Sequence, residues 1–148
     1  MSGYLVGTDV IWPTAPARRG GSLSLVIWME QHSQHLFIST ITVADIADRI
    51  AKVRREGSRL KAAALTGWLD ALLHLYGNRV LPFDVAAARM AGALADRARS
   101  KGRSLGFPDL AIAATAAAHG LTVLTANLRH FVPLNVPAHN PLESLPRD

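Results

Sequence analysis

Short apolar segments alternate with helix-like segments along the whole chain. Four of them have the composition of buried strands, and a fifth, short strand near Leu134 to Val136 closes the series. The four are YLV (4–6), LFIS (36–39), RVLPF (79–83) and LTVLT (121–125). This alternation predicts an α/β fold with a mostly parallel central sheet of four to five strands, flanked by helices on both faces.

Helix start and stop residues lie between the strands. Serine, threonine, aspartate and proline begin these segments, and glycine follows most of their ends, as is typical of helix caps. The predicted helices start after the cap Ser22, run from Thr42 to about Arg55, from Ser58 to Gly77, from Asp84 to about Lys101, and from Pro108 to Gly120. PTAPARRGGS (13–22) is a predicted loop, and the first strand is expected to end in a small loop at Gly7-Thr8-Asp9.

Length and composition limit the classes of protein that fit. A chain of 148 residues predicts one domain spanning 1–148. The absence of cysteine excludes disulfides, zinc–thiolate sites and cysteine nucleophiles, and it fits a reducing cytoplasm. The N-terminus does not resemble a signal peptide. The most apolar run, 110–124, is broken by His119 and Gly120 and is shorter than the roughly 20 residues of a membrane span.

The net charge is +5, and the basic residues are clustered. They concentrate in RIAKVRREGSRLK (49–61), in RARSKGR (97–103), and at Arg18 and Arg19. One interpretation is that these are solvated helix faces. The other is a surface for a polyanion, either a nucleic acid or an acidic protein segment.

Polar residues from four distant segments are expected to meet at one edge of the sheet. In a parallel sheet, ligands bind at the carboxyl ends of the strands, and a helix that leads into a strand begins at that same edge. The residues placed there are Gly7, Thr8, Asp9, Asp45, Asp109, Asn127 and His130.

Each acid also has a structural interpretation. The residues from Thr42 to Asp45 resemble a capping box with aspartate in place of glutamate, and Asp109 suits a helix N-terminus through the macrodipole. However, Asp109 stands between Pro108 and an almost wholly apolar helix, so it is expected to be partly buried and to need a cation or several donors. Two or three carboxylates at one edge suit Mg²⁺ or Mn²⁺, which activates water for in-line attack on a phosphodiester.

Several segments resemble the PIN-domain ribonucleases, in particular the VapC and FitB toxins of bacterial toxin–antitoxin pairs. They are FISTITVADI, LPFDVAAARMAGALADRARSKGRSLGFPD, FPDLAIAATAAAHGLTVLTANLRHF and HNPLE. In that family the first strand usually ends in an Asp-Thr-Asn triplet, whose aspartate is the first acid of the metal site. Here the triplet is Gly7-Thr8-Asp9, so the resemblance implies that the first acid is missing.

The resemblance also implies roles for the other residues. Asp45 matches the second acid, usually a glutamate, and Asp109 matches the third, while the fourth acidic position falls at Asn127 or His130. Asp45 and Asp109 are then expected to hold the divalent ion, with Asp9 as an auxiliary ligand. Thr8, Asn127 and His130 are expected to contact waters or phosphate, and Arg18, Arg19, Arg97 and Arg99 to bind RNA.

Partners follow from the same resemblance. Family members commonly form homodimers and are inhibited by a small antitoxin that lies in a groove near the active site. The helices between Thr42 and Tyr76 carry more apolar residues than one core face needs, which predicts a surface for a partner helix. These residues are Ile46, Ile50, Val53, Leu65, Trp68 and Leu72. The alternative is that they only cover the sheet.

Three hypotheses for the function remain. The first is a VapC-like, metal-dependent endoribonuclease impaired by Gly7, which Asp9 could partly replace if glycine lets the loop rotate. Gly7 could equally be an inactivating change fixed during cloning, since aspartate and glycine codons differ by one base. The second is a natural, non-catalytic PIN-fold module that binds an antitoxin-like partner or RNA. The third, an unrelated nucleotide-binding α/β protein, is disfavoured because no glycine-rich phosphate loop is present.

Overall fold

A five-stranded parallel sheet forms the centre of the molecule. The computed structural model describes residues 3–16 and 22–147. The strands lie in the order β3-β2-β1-β4-β5, and every neighbouring pair is parallel. This confirms the predicted fold class. The strands are β1 (Tyr4–Val6), β2 (Leu36–Ser39), β3 (Val80–Leu81), β4 (Thr122–Leu124) and β5 (Ala138–His139).

Helices connect these strands. They are α1 (Thr8–Ile11), α2 (Leu23–Gln31), α3 (Thr40–Arg55), α4 (Arg59–Tyr76), α5 (Val85–Ser100), α6 (Phe107–His119) and α7 (Leu128–Phe131). Two predicted N-caps are confirmed: Ser22 Oγ accepts from Leu25 N at 3.3 Å, and Asp84 Oδ1 accepts from Ala87 N at 3.0 Å. Gly120 ends α6 in the left-handed conformation that glycine adopts without strain.

The strands are buried on both faces because their side chains alternate in direction. Leu5 and Val123 pack into a core that includes residues of α5 and α6. Their neighbours Val6 and Leu124 pack into a second core that includes residues of α2, α3 and α4. Helices therefore cover the sheet on both faces. Functional side chains can reach solvent only at the ends of the strands.

Two predicted boundaries near the site, the end of β1 and the start of α3, are wrong. Residues 7–9 do not form a loop, because Thr8 begins the one-turn helix α1 directly after β1. Helix α3 begins at Thr40 rather than Thr42, since Ser39 has an extended backbone and its Oγ accepts from Ile41 N at 3.0 Å. The capping-box interpretation of Thr42 to Asp45 is therefore wrong, and Thr42 lies buried inside the helix.

The last strand is also displaced from its predicted position. Val132–Leu134 form a 3₁₀ turn, and Asn135 has a φ of 57°, which breaks the extended conformation expected there. The strand follows at Ala138–His139, beside β4. Helix α6 begins at Phe107, one residue before the predicted Pro108. In the described part of the chain, no helix has both the length and the apolar character needed to cross a membrane.

Candidate active site

A cleft of about 130 Å³ opens at the carboxyl ends of β1 and β4. Four segments reach it: Gly7 with the start of α1, the first half of α3, the start of α6 and the segment after β4. The side chains and backbone that line it include Gly7, Thr8, Asp9, Asp45, Arg49, Pro108, Asp109, Thr125 and Asn127. Of the residues predicted to meet at this edge, all line the cleft except His130, which contacts Asp109 instead.

Asp9 is held by the segment that follows β4. Its Oδ2 atom accepts a hydrogen bond from Ala126 N at 2.7 Å and another from Thr125 Oγ1 at 3.2 Å. The Thr125 hydroxyl in turn accepts from Asn127 N at 3.0 Å. The fixed donors hold the Asp9 carboxylate at the junction of β1 and β4.

Asp45 is paired with Arg49, one turn further along α3. Arg49 donates through Nε to Oδ1 at 3.3 Å and through Nη2 to Oδ2 at 3.4 Å. The Arg49 guanidinium also lies 5.5 Å from the centroid of the Trp12 ring, which is a cation–π contact. Both side chains of the ion pair remain partly exposed, at 42% for Arg49 and 35% for Asp45.

Asp109 forms a short contact with His130. Nδ1 of His130 lies 2.6 Å from Oδ2 of Asp109, and the Asp109 side chain is 33% exposed, which confirms its predicted partial burial. An ionised carboxylate can only accept hydrogen bonds, so in that state of the pair Nδ1 of His130 is the donor. His130 therefore supports an acid of the cleft and does not itself line it.

The remaining predicted residues, Thr8 and Asn127, differ in their exposure. Thr8 lines the cleft, but it is buried and its hydroxyl donates to Thr42 Oγ1 at 3.4 Å. Asn127 is exposed at the rim.

Two further residues of the cleft were not predicted from the sequence. Arg49 lies four residues from Asp45 on the same helix face, and Thr125 directly follows β4. Helix spacing and the position of the strand carboxyl ends could have identified them.

Gly7 has an ordinary extended backbone, with φ −71° and ψ 159°. Gly7 thus does not adopt the unusual backbone angles that glycine allows, and the partial replacement of the missing ligand by Asp9 stays a prediction. A Cβ atom at residue 7 would lie 2.9 Å from Asp9 Oδ1 and 2.9 Å from the Leu124 carbonyl oxygen. The Asp9 carboxylate thus fills the space beside Gly7 without any rotation of the loop.

The three acids match a divalent cation in their donor chemistry. Carboxylate oxygens are the ligands that Mg²⁺ and Mn²⁺ prefer. Each carboxylate nevertheless has a protein partner already, as described above. Within residues 3–16 and 22–147, no three His, Asp or Glu side chains are grouped closely enough to hold one ion. A bound ion would therefore require some of these side chains to move.

The predicted RNA-binding arginines have different environments. Arg18 and Arg19 lie outside the described residues. Arg97 is exposed on α5, but its Nη1 donates to the Leu134 carbonyl at 2.7 Å and so ties α5 to the 3₁₀ turn. Arg99 is exposed near the end of the same helix.

Comparison with known proteins identifies the fold and its family. The family profile of the PIN domain matches residues 10–132. This range covers more than half of the chain and begins directly after Gly7-Thr8-Asp9. With the parallel sheet and the acidic cleft at its edge, this match shows that the chain belongs to the PIN-domain family.

Individual relatives narrow the assignment of the chain within this family. The chain is 31% identical to the plasmid stability protein StbB of Pseudomonas syringae pv. tomato over 95% of this chain and 99% of that protein. It is 30% identical to the VapC ribonuclease Y4jK of Sinorhizobium fredii, over 94% and 97%. Toxin FitB of Neisseria gonorrhoeae is 29% identical, over 93% and 96%.

A solved structure agrees with these relatives. The FitAcB crystal structure from Neisseria gonorrhoeae superposes with a TM-score of 0.83 and 30% identity, covering 94% of this chain and 98% of that one. Within the PIN-domain family, the chain thus belongs to the VapC-like family of toxin ribonucleases.

Proposed function

We propose that the protein is an endoribonuclease toxin that requires Mg²⁺ or Mn²⁺, and that the chain as given is impaired because residue 7 is glycine. The observation that carries this proposal is the convergence of Asp9, Asp45 and Asp109 on one cleft from segments far apart in the sequence. The VapC ribonuclease among the relatives supports the same chemistry.

Each residue of the cleft has a proposed role. Asp45 and Asp109 would hold the ion, with Asp9 as an auxiliary ligand. When bound, such an ion activates water for in-line attack on a phosphodiester. His130 would orient the Asp109 carboxylate. The exposed amide of Asn127 would contact water or phosphate at the rim, and the Thr8 hydroxyl would do so inside the cleft.

The impairment follows from the charge and the geometry of the cleft. Glycine contributes no carboxylate at residue 7, so fewer oxygen ligands are available to a divalent ion. Asp9 lies beside this position, but its Oδ2 is engaged by Ala126 and Thr125. Because the ion and the positioned water act as a unit, losing one ligand is expected to reduce the rate severely.

RNA cleavage tests the proposal. We expect slow or undetectable cleavage by the chain as given with Mg²⁺ or Mn²⁺, and a higher rate when an acid is restored at residue 7. EDTA should abolish that activity, and so should Asp109→Asn in the restored background. Cleavage that survives both EDTA and Asp109→Asn would disprove the proposed site.

A second candidate is a non-catalytic module that binds an antitoxin-like partner or RNA. Two observations favour it: the glycine at residue 7, and the lack of three acids grouped for one ion among the described residues. Mn²⁺ affinity, measured by isothermal titration calorimetry, separates the two functions. The ribonuclease requires binding that depends on Asp45 and Asp109, and the module does not.

We also propose a VapB-like antitoxin and a second copy of the chain as partners of a single-domain cytoplasmic protein. Of the apolar residues predicted to bind a partner, Ile46, Ile50 and Leu65 are buried in the core. Trp68 and Leu72 are partly buried and line a groove of about 230 Å³ between α2 and α4, together with the exposed Leu75. Light scattering should report a dimer, and a strictly monomeric chain would contradict the homodimer.

A further inference from the structure

Arg49 is the one basic residue among those that line the described cleft. It projects from the same face of α3 as Asp45, because residues four apart on a helix are neighbours. An RNA phosphodiester that enters this cleft must approach Asp9, Asp45 and Asp109, all of which carry the same sign of charge as the phosphate. A fixed cation at the same place would offset that repulsion.

The Arg49 guanidinium is held by one edge only. Nε and Nη2 each donate to Asp45, while Nη1 makes no hydrogen bond to any residue that the structure describes. The central carbon of the guanidinium also lies 5.5 Å from the centroid of the Trp12 ring, so Trp12 restricts its movement. A guanidinium has five N–H donors in a planar fork that matches two phosphate oxygens, so the edge carrying Nη1 retains donors for such a ligand.

We propose that Arg49 binds a phosphate of the RNA substrate at the acidic cleft, with Asp45 and Trp12 holding its guanidinium in position. This inference rests on RNA being the substrate, as proposed above. It assigns Arg49 a substrate contact separate from the metal-site acids. Because Asp45 and Trp12 already restrict the Arg49 side chain, binding costs less conformational entropy than it would for a free side chain.

The pairing with Asp45 does not by itself account for Arg49. The two hydrogen bonds, at 3.3 and 3.4 Å, are long, and both side chains are more than one-third exposed. Pairs of this kind contribute little to folding. Replacing Arg49 is therefore expected to leave the fold and the melting temperature nearly unchanged, which makes a binding test interpretable.

The test measures RNA binding without cleavage. Fluorescence anisotropy with a labelled single-stranded RNA of mixed sequence, in EDTA, compares Arg49→Gln, Arg49→Lys and the control Arg89→Gln. Arg89 is exposed on α5 and is not among the residues that line the cleft, so its variant removes the same charge elsewhere. Melting followed by circular dichroism confirms that each variant is folded.

We expect Arg49→Gln to weaken RNA binding about tenfold at low salt, because a charge-assisted phosphate contact is lost. It should also lower the slope of log affinity against log salt by about 0.7, the value for one phosphate of a single strand. Arg49→Lys should restore the slope but only part of the affinity. Arg89→Gln should change the affinity less than about twofold, since it removes no phosphate contact.

Two outcomes overturn the inference: equal effects of Arg49→Gln and Arg89→Gln, or no RNA binding by the parent chain. Failure of the proposed function is recognised separately, by cleavage assays. Arg49-dependent RNA binding without metal-dependent cleavage in the restored variant supports the contact between Arg49 and an RNA phosphate but rejects the ribonuclease. Cleavage whose KM is insensitive to Arg49→Gln rejects the inference alone.

Discussion

The Oδ1 atom of Asp9 lies 2.9 Å from the point that a Cβ atom would occupy at residue 7. Asp9 therefore takes the space that a side chain at residue 7 would need. The same Cβ would also lie 2.9 Å from the backbone oxygen of Leu124, which accepts a hydrogen bond from Gly7 N at 2.9 Å. The size of the side chain at residue 7 and the position of the Asp9 carboxylate therefore depend on each other.

This coupling predicts that Gly7→Asp alone restores less activity than Gly7→Asp combined with Asp9→Asn. The single variant places two carboxylates in contact, whereas the double variant reproduces the Asp-Thr-Asn triplet of the family. Because β4 must also shift slightly, both should lose roughly 1–2 kcal/mol of stability. Initial rates of RNA cleavage with Mn²⁺ measure the difference. Equal, robust activity in the parent chain and in both variants would show that residue 7 is only a turn.

His130 is predicted to act through Asp109. In the Gly7→Asp/Asp9→Asn background, His130→Ala should weaken Mn²⁺ binding or activity by roughly 10- to 100-fold, as expected when a hydrogen bond that orients a ligand is lost. His139→Ala is the matched control, since His139 contacts Ser144 and is absent from the cleft lining. Calorimetric Mn²⁺ titration compares the two, and equal affinities would remove His130 from the site.

Thr125 is predicted to stabilise the junction of β1 and β4. Thr125→Val removes a buried hydroxyl that donates to Asp9 and accepts from Asn127 N, so unfolding should become easier by about 1–3 kcal/mol. Thr115→Val is a control of equal size and burial, because that hydroxyl only donates to a carbonyl of its own helix. Urea unfolding measures both. A smaller loss at Thr125 than at Thr115 would contradict the argument.

Arg97 and Arg99 should separate RNA binding from folding. Arg97→Ala removes the hydrogen bond to Leu134 and should lower stability by roughly 0.5–1.5 kcal/mol, in addition to any effect on RNA. Arg99→Ala should leave stability unchanged and reduce the salt dependence of RNA binding by about one phosphate contact. If Arg99→Ala leaves RNA affinity and its salt dependence unaltered, that basic cluster is a solvated surface. Alanine at Arg18 and Arg19 tests the third cluster in the same assay.

Tyr76 gives a pH dependence with a defined sign. Burial raises the pKa of Tyr76 to about 12, from 10.0, although the Arg79 charge opposes this shift. The folded state therefore holds the phenol proton more tightly than the unfolded state. Stability should be unaffected below pH 10 and should fall by roughly 2–3 kcal/mol as the pH rises from 10 through 12. Tyr76→Phe should lose this component, as urea unfolding at pH 8 and pH 11 would show.

The sequence by itself determined the alternation of strands with the longer helices and the segments that form the site, but not the short helices α1 and α7. The apolar composition of strands such as YLV and LFIS predicts burial on both faces. Residues such as Ser22 and Asp84 predict helix starts because their side chains form a local hydrogen bond. Parallel strands place their carboxyl ends at one edge, so the convergence of Asp45, Asp109 and the Gly7-Thr8-Asp9 segment could be inferred without coordinates. Thr42 failed as a cap because Ser39 supplied one earlier.

Only the tertiary structure decided the partners of Asp9 and Asp109, whereas the partner of Asp45, Arg49, lies four residues along the same helix. Asp9 is bound by backbone and hydroxyl groups more than a hundred residues away, and Asp109 contacts a histidine on a different helix. Such contacts depend on how β4 and α7 meet the sheet edge, which no local pattern encodes. The steric conflict between residues 7 and 9 has the same origin. It arises because the segment after β4 holds the Asp9 carboxylate through Ala126 N and Thr125 Oγ1, beside the space that glycine leaves open.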